Sequence, residues 1–402
     1  MTSLSRQDID KTHLRRAYEV FLIFLRLGLT SFGGPIAHLG YFRRTFVEQR
    51  RWLDDTRYAQ LLALCQFLPG PASSQLGFTL GLQRAGWLGG LAAFIGFTLP
   101  SALLMFAFAA WAPYLQGRIG EAVLHGLKLV AVVVVAQGVL GMWRTLAPDA
   151  PRRVMAIATA ALLLWQPQAW LQWLAVAAAA LAGQWLCRGV STVRAGDVGV
   201  TYGRRTGAWL LLAYALVLVM AMLVGTGWSP LARTVAALAR AGALVFGGGH
   251  VVLPLLKQSL VTPGLVDESS FLAGYGAAQA LPGPMFSLAA FLGAHVSGAL
   301  GAVAGLVAIF LPGLLLVAGV LPWWQTLAAR EGAVRTIAGI NAAVVGLLAA
   351  AFWDPVWRGA VHAPLDIAIV ALGLLVVMRA RWPAWAIVVY CVAAAVCAAA
   401  FK

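Results

Sequence analysis

Two proline-glycine-proline triplets interrupt long apolar stretches of the sequence. They lie at residues 69–71, within "QFLPGPASSQ", and at residues 282–284, within "QALPGPMFSL". Proline in a helix interior removes a hydrogen bond and clashes with the preceding turn, at a cost of ~3 kcal/mol. Such a break leaves backbone N–H groups free at the start of the next helix, where they attract anions. The two breaks therefore predict anion binding by the ends of broken helices.

Three cations lie within apolar runs and could give such a site its charge. Arg26 lies inside "FLIFLRLGLTSF", Arg240 lies 214 residues further along, and Lys128 lies in "HGLKLVAVVVV". An arginine at mid-membrane costs ~2.5–3.5 kcal/mol or more, so its presence there indicates a function. The alternative for each cation is an interfacial position, in which the long side chain reaches the lipid headgroups.

The acidic residues indicate the sign of the ligand. Nearly all 14 lie in predicted loops or at the ends of predicted spans, whereas a cation transporter normally carries carboxylates inside the membrane. A site with two or three cations and no carboxylate suits an anion with two charges. Arginine and lysine both bind tetrahedral oxyanions, and arginine does so through two parallel hydrogen bonds.

The candidate substrate-binding residues combine these cations with the backbone of the breaks and the neutral donors beside them. They are Arg26, Gly33, Gly34, Gln66, Pro69, Gly70, Pro71, Ser73, Ser74, Lys128, Arg240, Gly247, Gly248, His250, Gln279, Pro282, Gly283, Pro284 and Asn341. For His250 a packed core histidine is an equally good interpretation. No catalytic residue, metal ligand or cofactor is expected, because the four cysteines are scattered and no GxxxxGK[ST] motif occurs.

These residues need a helical framework inside a membrane to position them. Of the 402 residues, 61% are hydrophobic and 11% are charged, compared with about 25% charged in soluble proteins. The apolar runs approach the ~20 residues that cross a bilayer as a helix, and they lack the alternation of a membrane β-barrel. The sequence predicts an all-α polytopic membrane protein. Its net charge of +15 fits arginine-rich cytoplasmic loops rather than nucleic-acid binding, because the arginines flank the spans.

The chain also carries an internal repeat. The stretch "RLGLTSFGGPIAHL" at 26–39 aligns with "RAGALVFGGGHVVL" at 240–253, and three further blocks align in the same order at offsets of 212 or 213. We therefore expect a first half at 1–206, a linker transmembrane helix at 207–227 and a second half at 228–402. The hydrophobic segments, about 13 in all, lie near 17–32, 58–82, 87–112, 121–144, 152–166, 168–186, 207–227, 229–246, 271–297, 299–320, 333–353, 364–379 and 382–400.

The span count and the charges predict the topology. Six spans and one linker helix start the second half on the other side of the membrane, so the repeat is expected to be inverted, with broken or re-entrant helices. The arginines place the polar N-terminal leader in the cytoplasm and the C-terminus outside. The loop 43–57 holds five arginines, yet simple crossing places it outside. It lies inside if 17–42 and 58–82 each enter the membrane and return as a hairpin, turning at Gly33–Pro35 and at Pro69–Pro71.

The motifs of both halves resemble one known family. "FLRLGLTSFGGPIAHLGYFRRTFVEQRRWLDD" followed by "QFLPGP", with a second "FGGGHVVLPLL" and "ALPGP", is similar to the chromate ion transporter family, and in particular to its long, two-domain chromate efflux proteins. The resemblance implies an exporter in the bacterial inner membrane that confers chromate resistance, with sulfate as a competing anion. It carries the family's signature to Arg26, Gly33–Pro35, Pro69–Pro71, Lys128 and Asn341. Gly249 replaces Pro35 and Asn341 replaces Lys128 in the second half, so the site is expected to be asymmetric.

Several alternatives stay open on the sequence. A carrier of sulfate or another oxyanion would need the same fold, since chromate and sulfate are near-isosteric dianions. A membrane-embedded enzyme and a passive anion channel are alternatives from other classes. A negative cell interior favours dianion export without a coupling ion, but proton coupling through Glu19, His38 or His250 is also open. The expected partners are the transported anion and membrane lipid, with the chain as a monomer or a homodimer.

Overall fold

The protein is built from helices. The computed structural model describes residues 6–115, 117–166, 168–190, 202–246, 252–380 and 382–400, and within these ranges it contains no β-strand. The helices are α1 (Arg6–Thr30), α2 (Gly34–Arg43), α3 (Asp55–Phe67), α4 (Ala72–Trp111), α5 (Gly117–Leu146), α6 (Ala150–Trp165), α7 (Ala169–Leu186), α8 (Arg204–Leu223), α9 (Pro230–Leu244), α10 (Val252–Leu256), α11 (Glu268–Ala280), α12 (Leu288–Val320), α13 (Trp324–Ala328), α14 (Glu331–Ala351), α15 (Arg358–Ala360), α16 (Pro364–Ala380) and α17 (Ala384–Ala400).

Among the residues that the structure describes, five helical stretches are long and apolar enough to cross a membrane. They are Ala72–Tyr114, Gly117–Leu146, Arg204–Leu223, Met285–Ala328 and Glu331–Ala360. The prediction of an all-α membrane protein is confirmed at this level.

The segment 17–42 forms a hairpin. The ring of Phe24, in α1, lies 5.5 Å from that of Phe42 and 5.0 Å from that of Phe46. A continuous helix would separate Phe24 from Phe42 by about 27 Å, so α2 must return along α1. The chain reverses at Gly33 and Gly34, whose φ angles of +100° and +72° suit glycine alone. The predicted hairpin is therefore present.

The segment 58–82 also returns to the face from which it starts. Glu19 forms ion pairs with Arg50 at 3.0 Å and with Arg84 at 3.5 Å, and the Arg84 guanidinium lies over the Trp52 ring at 4.9 Å. Arg50 and Trp52, which lie just before α3, thus meet Arg84 of α4 at one end of the protein. We call this end the arginine-rich face. Near the middle of the hairpin, Cys65 is hydrogen-bonded to Thr79.

The 40-residue helix α4 is two antiparallel arms. Gly86 has φ +62° and ψ −155°, and the chain turns sharply there. A Cβ on Gly81 would lie 2.3 Å from the Gly89 carbonyl oxygen, although a straight helix would keep these residues about 12 Å apart. We call residues 72–84 the short arm and 87–111 the long arm of α4.

Helix α12 repeats this turn in the second half. Ser297 and Gly298 have φ, ψ values of −148°, 30° and 57°, −144°, close to those of Ala85 and Gly86. A Cβ on Gly293 would lie 2.0 Å from the Gly301 carbonyl oxygen, so these arms are also antiparallel. Residues 288–296 are the short arm of α12 and residues 299–320 are its long arm.

The outer helices of each half pack on the other half. Helices α6 and α7 lie against α14, while α16 and α17 lie against α5. Small residues permit the close approach, as is usual between helices in membranes. A Cβ on Gly339 would lie 2.0 Å from the Ala179 carbonyl oxygen, and one on Gly126 would lie 2.6 Å from the Cα of Val392. The two halves thus exchange helix pairs.

Helix α8 has no counterpart in the repeat. It packs on the long arm of α12 and on α9, and the Tyr214 hydroxyl donates a hydrogen bond to the Ala243 carbonyl at 3.1 Å. It starts at the arginine-rich face, because Gly207 lies close to Gly319 at the end of the long arm of α12 and Tyr202 lies on Trp87. Helix α8 ends at the other side of the protein, near Leu223, and we call this side the opposite face.

Candidate functional site

Each proline-glycine-proline turn is bonded to the first helix of the other half. The Gly70 N–H donates to the Val245 carbonyl at 2.7 Å, and the Gly283 N–H donates to the Ser31 carbonyl at 3.0 Å. Val245 directly follows α9, and Ser31 directly follows α1. The turn of the first half therefore bonds to the second half, and the turn of the second half bonds to the first. These two hydrogen bonds bring the breaks of both halves to one place. We call this place the central site.

Glycine is required at both turns. Gly70 has φ +128° and Gly283 has φ +94°, which side chains of L-residues rarely permit. A Cβ on Gly70 would lie 2.5 Å from Gln75 Nε2, and one on Gly283 would lie 2.9 Å from Ser101 Oγ. The backbone of each turn thus packs directly on the helices around it.

The central site contains buried polar oxygens that have no hydrogen-bond partner. Around the breaks these are Ser31 Oγ, Ser74 Oγ, Gln75 Oε1, Thr98 Oγ1 and Ser287 Oγ. An unpaired buried polar group costs about 1–3 kcal/mol, so such groups are normally satisfied by water or a ligand. Ser74 and Ser287 are equivalent in the repeat. Their placement fits a polar ligand held by neutral donors.

The short arm of α4 directs its N-terminus at this place. Helical N–H groups in the first turn after Pro71 have no acceptor within the helix, and the helix dipole makes this end positive. Gln75 fixes the turn, because its Nε2 donates to the Pro69 carbonyl at 2.9 Å and to the Gly313 carbonyl at 3.0 Å. The second half starts its short arm in the same way, with a short helical turn at Met285–Ser287.

His38 joins the first break to the short arm of α4. Its Nε2 lies 3.2 Å from the Ser31 carbonyl oxygen, and its Nδ1 lies 3.4 Å from Ser73 Oγ. The ring is fully buried and packs edge-on against Phe97 at 5.1 Å. Ser73 is thus part of the central site, together with a histidine that the sequence suggests only for proton coupling.

The predicted cations lie away from the buried centre. Arg26 is exposed on the outer side of α1, in line with Tyr18, Leu22 and Leu29, which are 63%, 45% and 54% exposed. Arg240 is half-buried, and its Nη1 donates to the Ala221 carbonyl at 2.9 Å.

Lys128 and the neutral candidates take different positions. Lys128 is half-buried, and the negative charges of Asp267 and Glu268 act on it. Asn341, its repeat counterpart, leaves Oδ1 buried without a partner. Gln66 is exposed on α3, whereas the buried Gln279 donates to the Met285 sulfur at 2.8 Å. Three further candidates, Gly247, Gly248 and His250, lie outside the described residues.

Sequence reasoning missed several residues of the central site. Ser31, Gln75, Thr98 and Ser101 are polar residues within two positions of a Gly or Pro in apolar runs, and this position was the available signal. It also missed Asp366, which is buried and accepts a hydrogen bond from His125 at 2.8 Å. Among the residues that the structure describes, no cluster of three metal-ligating side chains occurs.

A cavity opens at the arginine-rich face. Its volume is about 590 Å³, and its lining residues are Glu19, Gln49, Arg50, Arg51, Trp52 and Arg84. Three arginines and one glutamate give this cavity a net positive charge of two. A concentration of one sign of charge in a cleft attracts ions of the other sign, so the cavity favours anions.

Comparison with known proteins gives a consistent result. The sequence model for chromate transporters matches residues 18–184 and matches again at 232–398. The chromate transport protein of Pseudomonas aeruginosa is 28% identical over 359 residues, which cover 84% of this chain and 80% of the relative. The chromate transport protein of Cupriavidus metallidurans is 27% identical over 363 residues, covering 89% and 87%. A probable chromate transport protein of Synechococcus elongatus is 27% identical over 363 residues, covering 84% and 85%. No solved structure gives a significant match.

Proposed function

Since the chain belongs to the chromate transporter family, we propose that it exports the chromate dianion from the bacterial cytoplasm and so confers chromate resistance. The observation that carries the site of this transport is the pair of exchanged hydrogen bonds, Gly70 to Val245 and Gly283 to Ser31. They bring two helix N-termini and a set of unpaired buried hydroxyls together between the halves. Such a site can strip water from an oxyanion and replace it with fixed donors.

We also propose an inverted repeat of about 13 hydrophobic segments. Tyr202 supports the inversion. Its ring lies 5.1 Å from that of Trp87, and its hydroxyl donates to the Ala318 carbonyl at 2.6 Å. Trp87 begins the long arm of α4, whereas Ala318 lies near the end of the long arm of α12, and this supports opposite directions for these equivalent helices. The proposed units are a first half at 1–206, a linker helix at 207–227 and a second half at 228–402.

The proposed orientation in the inner membrane follows from the charges. The arginine-rich face gathers the arginines of the 43–57 loop, which cytoplasmic loops favour. We therefore place this face and the N-terminus in the cytoplasm and the C-terminus outside. A dianion leaving the cell then gains about 4.6 kcal/mol per 100 mV of membrane potential. This gain supports export driven by the potential, with a proton gradient as an additional source.

We propose that the site includes the candidate residues predicted from the sequence. The neutral groups Gly33, Gly34, Gly70, Ser73, Ser74 and Gly283 lie at or beside the breaks, and Arg26, Lys128 and Arg240 supply positive charge along the path. The helix dipoles of the two short arms point in opposite directions, so an anion can approach the central site from either face of the protein. This arrangement suits alternating access.

The test is chromate accumulation in cells that express the chain, compared with cells that do not. Expressing cells should retain less chromate, and unchanged chromate should appear in the medium, which separates transport from an enzymatic conversion. Added sulfate should compete if the cargo class is broader. Equal retention in both strains would refute export, and sulfate flux without chromate flux would establish the alternative of a sulfate or other oxyanion carrier.

Thr98 and Thr234 give a matched pair for the site. Both are buried and leave Oγ1 without a hydrogen-bond partner, but only Thr98 lies at the central site. Replacement by valine removes the hydroxyl and keeps the shape, so Thr98→Val should raise the half-saturating chromate concentration by about fivefold to tenfold, the value of one hydrogen bond. Thr234→Val should leave it unchanged. Equal behaviour of the two variants would place the substrate elsewhere.

A further inference from the structure

A second cavity opens at the opposite face, beside helices α7, α8 and α9. Its volume is about 340 Å³, enough for about ten water molecules or for a hydrated oxyanion. Its polar lining residues are Gln172, Thr226, Arg233, Arg240, Gln258 and Ser259, and no Asp or Glu lines it in the part of the chain that the structure describes.

The two arginines lie on one side of α9. They are seven residues apart, which is two helical turns or about 10.5 Å along the axis. Arg240 is fixed by its hydrogen bond to the Ala221 carbonyl, which uses one of its five N–H donors. Gln172 is only 7% exposed, and its polar side chain also borders the cavity.

The same place in the first half is different. At an offset of 214, Arg240 corresponds to Arg26 and Arg233 corresponds to Glu19. Glu19 is already paired with Arg50 and Arg84, and Arg26 is exposed because α8 covers the second half alone. Among the residues described, only the second half therefore has an enclosed pair of arginines without a carboxylate.

We propose that this cavity is a second oxyanion site, separate from the central site, which holds the dianion at the opposite face of the transport path. Two guanidinium groups inside a half-enclosed cavity lose hydration, and no carboxylate compensates for that loss. A tetrahedral dianion would balance both charges and accept paired hydrogen bonds from each arginine. The proposal rests on the proposed transport of oxyanions.

Anion binding is measured first, without transport. Ser259→Cys is introduced together with Cys397→Ser, which removes the exposed native thiol, and the full chain is placed in phosphatidylcholine vesicles. Sodium sulfate or sodium molybdate at matched ionic strength should slow maleimide labelling of residue 259 at least fivefold. Arg233→Gln should abolish this protection. Arg358→Gln, which changes an exposed arginine outside the cavity, should keep it. Absence of protection by both anions would overturn the proposal.

Lipid phosphate presents the same chemistry to the cavity as a free oxyanion. The labelling is therefore repeated with phosphatidylglycerol in the vesicles and no added sulfate or molybdate. Labelling that stays fast supports a site for the free anion. Protection by phosphatidylglycerol that free anions do not reproduce would assign the cavity to a lipid headgroup and overturn the proposal.

Sidedness of transport is the second measurement. Arg233→Gln should raise the half-saturating chromate concentration at least fivefold when chromate is offered to the opposite face, and should leave it unchanged from the arginine-rich face. Arg240→Lys, which keeps a charge, should show a smaller change of the same sidedness. Equal effects from both faces, or none, would overturn the second site. Protection of residue 259 without any chromate flux in the parent chain would instead refute the proposed function alone.

Discussion

Arg26 and Arg240 occupy the same place in the repeat and meet different surroundings. Arg240 donates to the end of α8, whereas Arg26 stands exposed among apolar neighbours. The sequence marks both cations as unusual residues within apolar runs. It could not predict their environments, because these depend on which half the unpaired helix α8 covers, and that is decided by packing between distant segments.

Replacement of Arg26 separates charge from geometry. We propose that Arg26 supplies positive charge to the transport path, so we expect Arg26→Ala to lower chromate resistance. Because the side chain is exposed, the loss should be about 1 kcal/mol or less. Arg26→Lys keeps the charge but loses the planar fork, so its resistance should be intermediate. The measurement is growth in chromate together with the half-saturation of export at equal protein levels. An unchanged half-saturation in Arg26→Ala would make Arg26 a residue of the lipid-facing surface only.

A substitution at Gly283 tests the packing of the proline-glycine-proline turns, each of which bonds to the other half. Gly283→Ala adds strain at φ +94° and places a Cβ 2.9 Å from Ser101 Oγ, so we expect a clear loss of thermal stability and of export. Gly117→Ala is the matched control, because it has φ +79° but open space around its Cβ position. It should show only the backbone cost, about 1–2 kcal/mol. Similar melting temperatures for the two variants would mean that the turn packs less tightly than described.

Among the elements, the hairpins were predictable and their partners were not. The five arginines of the 43–57 loop predict that 17–42 and 58–82 return to one face, and glycine and proline mark where they turn. The expected spans near 152–166 and 168–186 agree closely with α6 and α7. Their packing on α14 was not predictable, because apolar helix faces in a membrane carry little information about which helix they contact.

The turn inside α12 gives a test at this scale. Gly293→Ala places a Cβ 2.0 Å from the Gly301 carbonyl oxygen and should force the two arms apart, lowering the melting temperature of the purified protein. Gly141→Ala, in α5, has nothing within 4 Å of the added Cβ and should be neutral or slightly stabilising, because alanine favours helix. If Gly293→Ala melts like its control, the arms are not in contact.

For the whole molecule, the proposed orientation has a direct test. In a background that carries Cys397→Ser, Gly189→Cys lies just after α7 and Gly227→Cys lies just after α8, both with open surroundings. The three remaining native cysteines are buried. A membrane-impermeant thiol reagent added to intact cells should label residue 227 and fail to label residue 189 until the membrane is opened. The reverse pattern would invert the protein in the membrane.

Helices α6 and α7 are synthesised well before α14, on which they pack, and α5 is likewise synthesised before α16 and α17. Until translation ends, the first half therefore holds its helix-binding faces toward lipid or toward membrane chaperones. A chain cut after α8 should be recognised as unfinished and degraded by membrane quality-control proteases. Two halves produced as separate polypeptides should rescue each other, since each provides the helices that the other lacks.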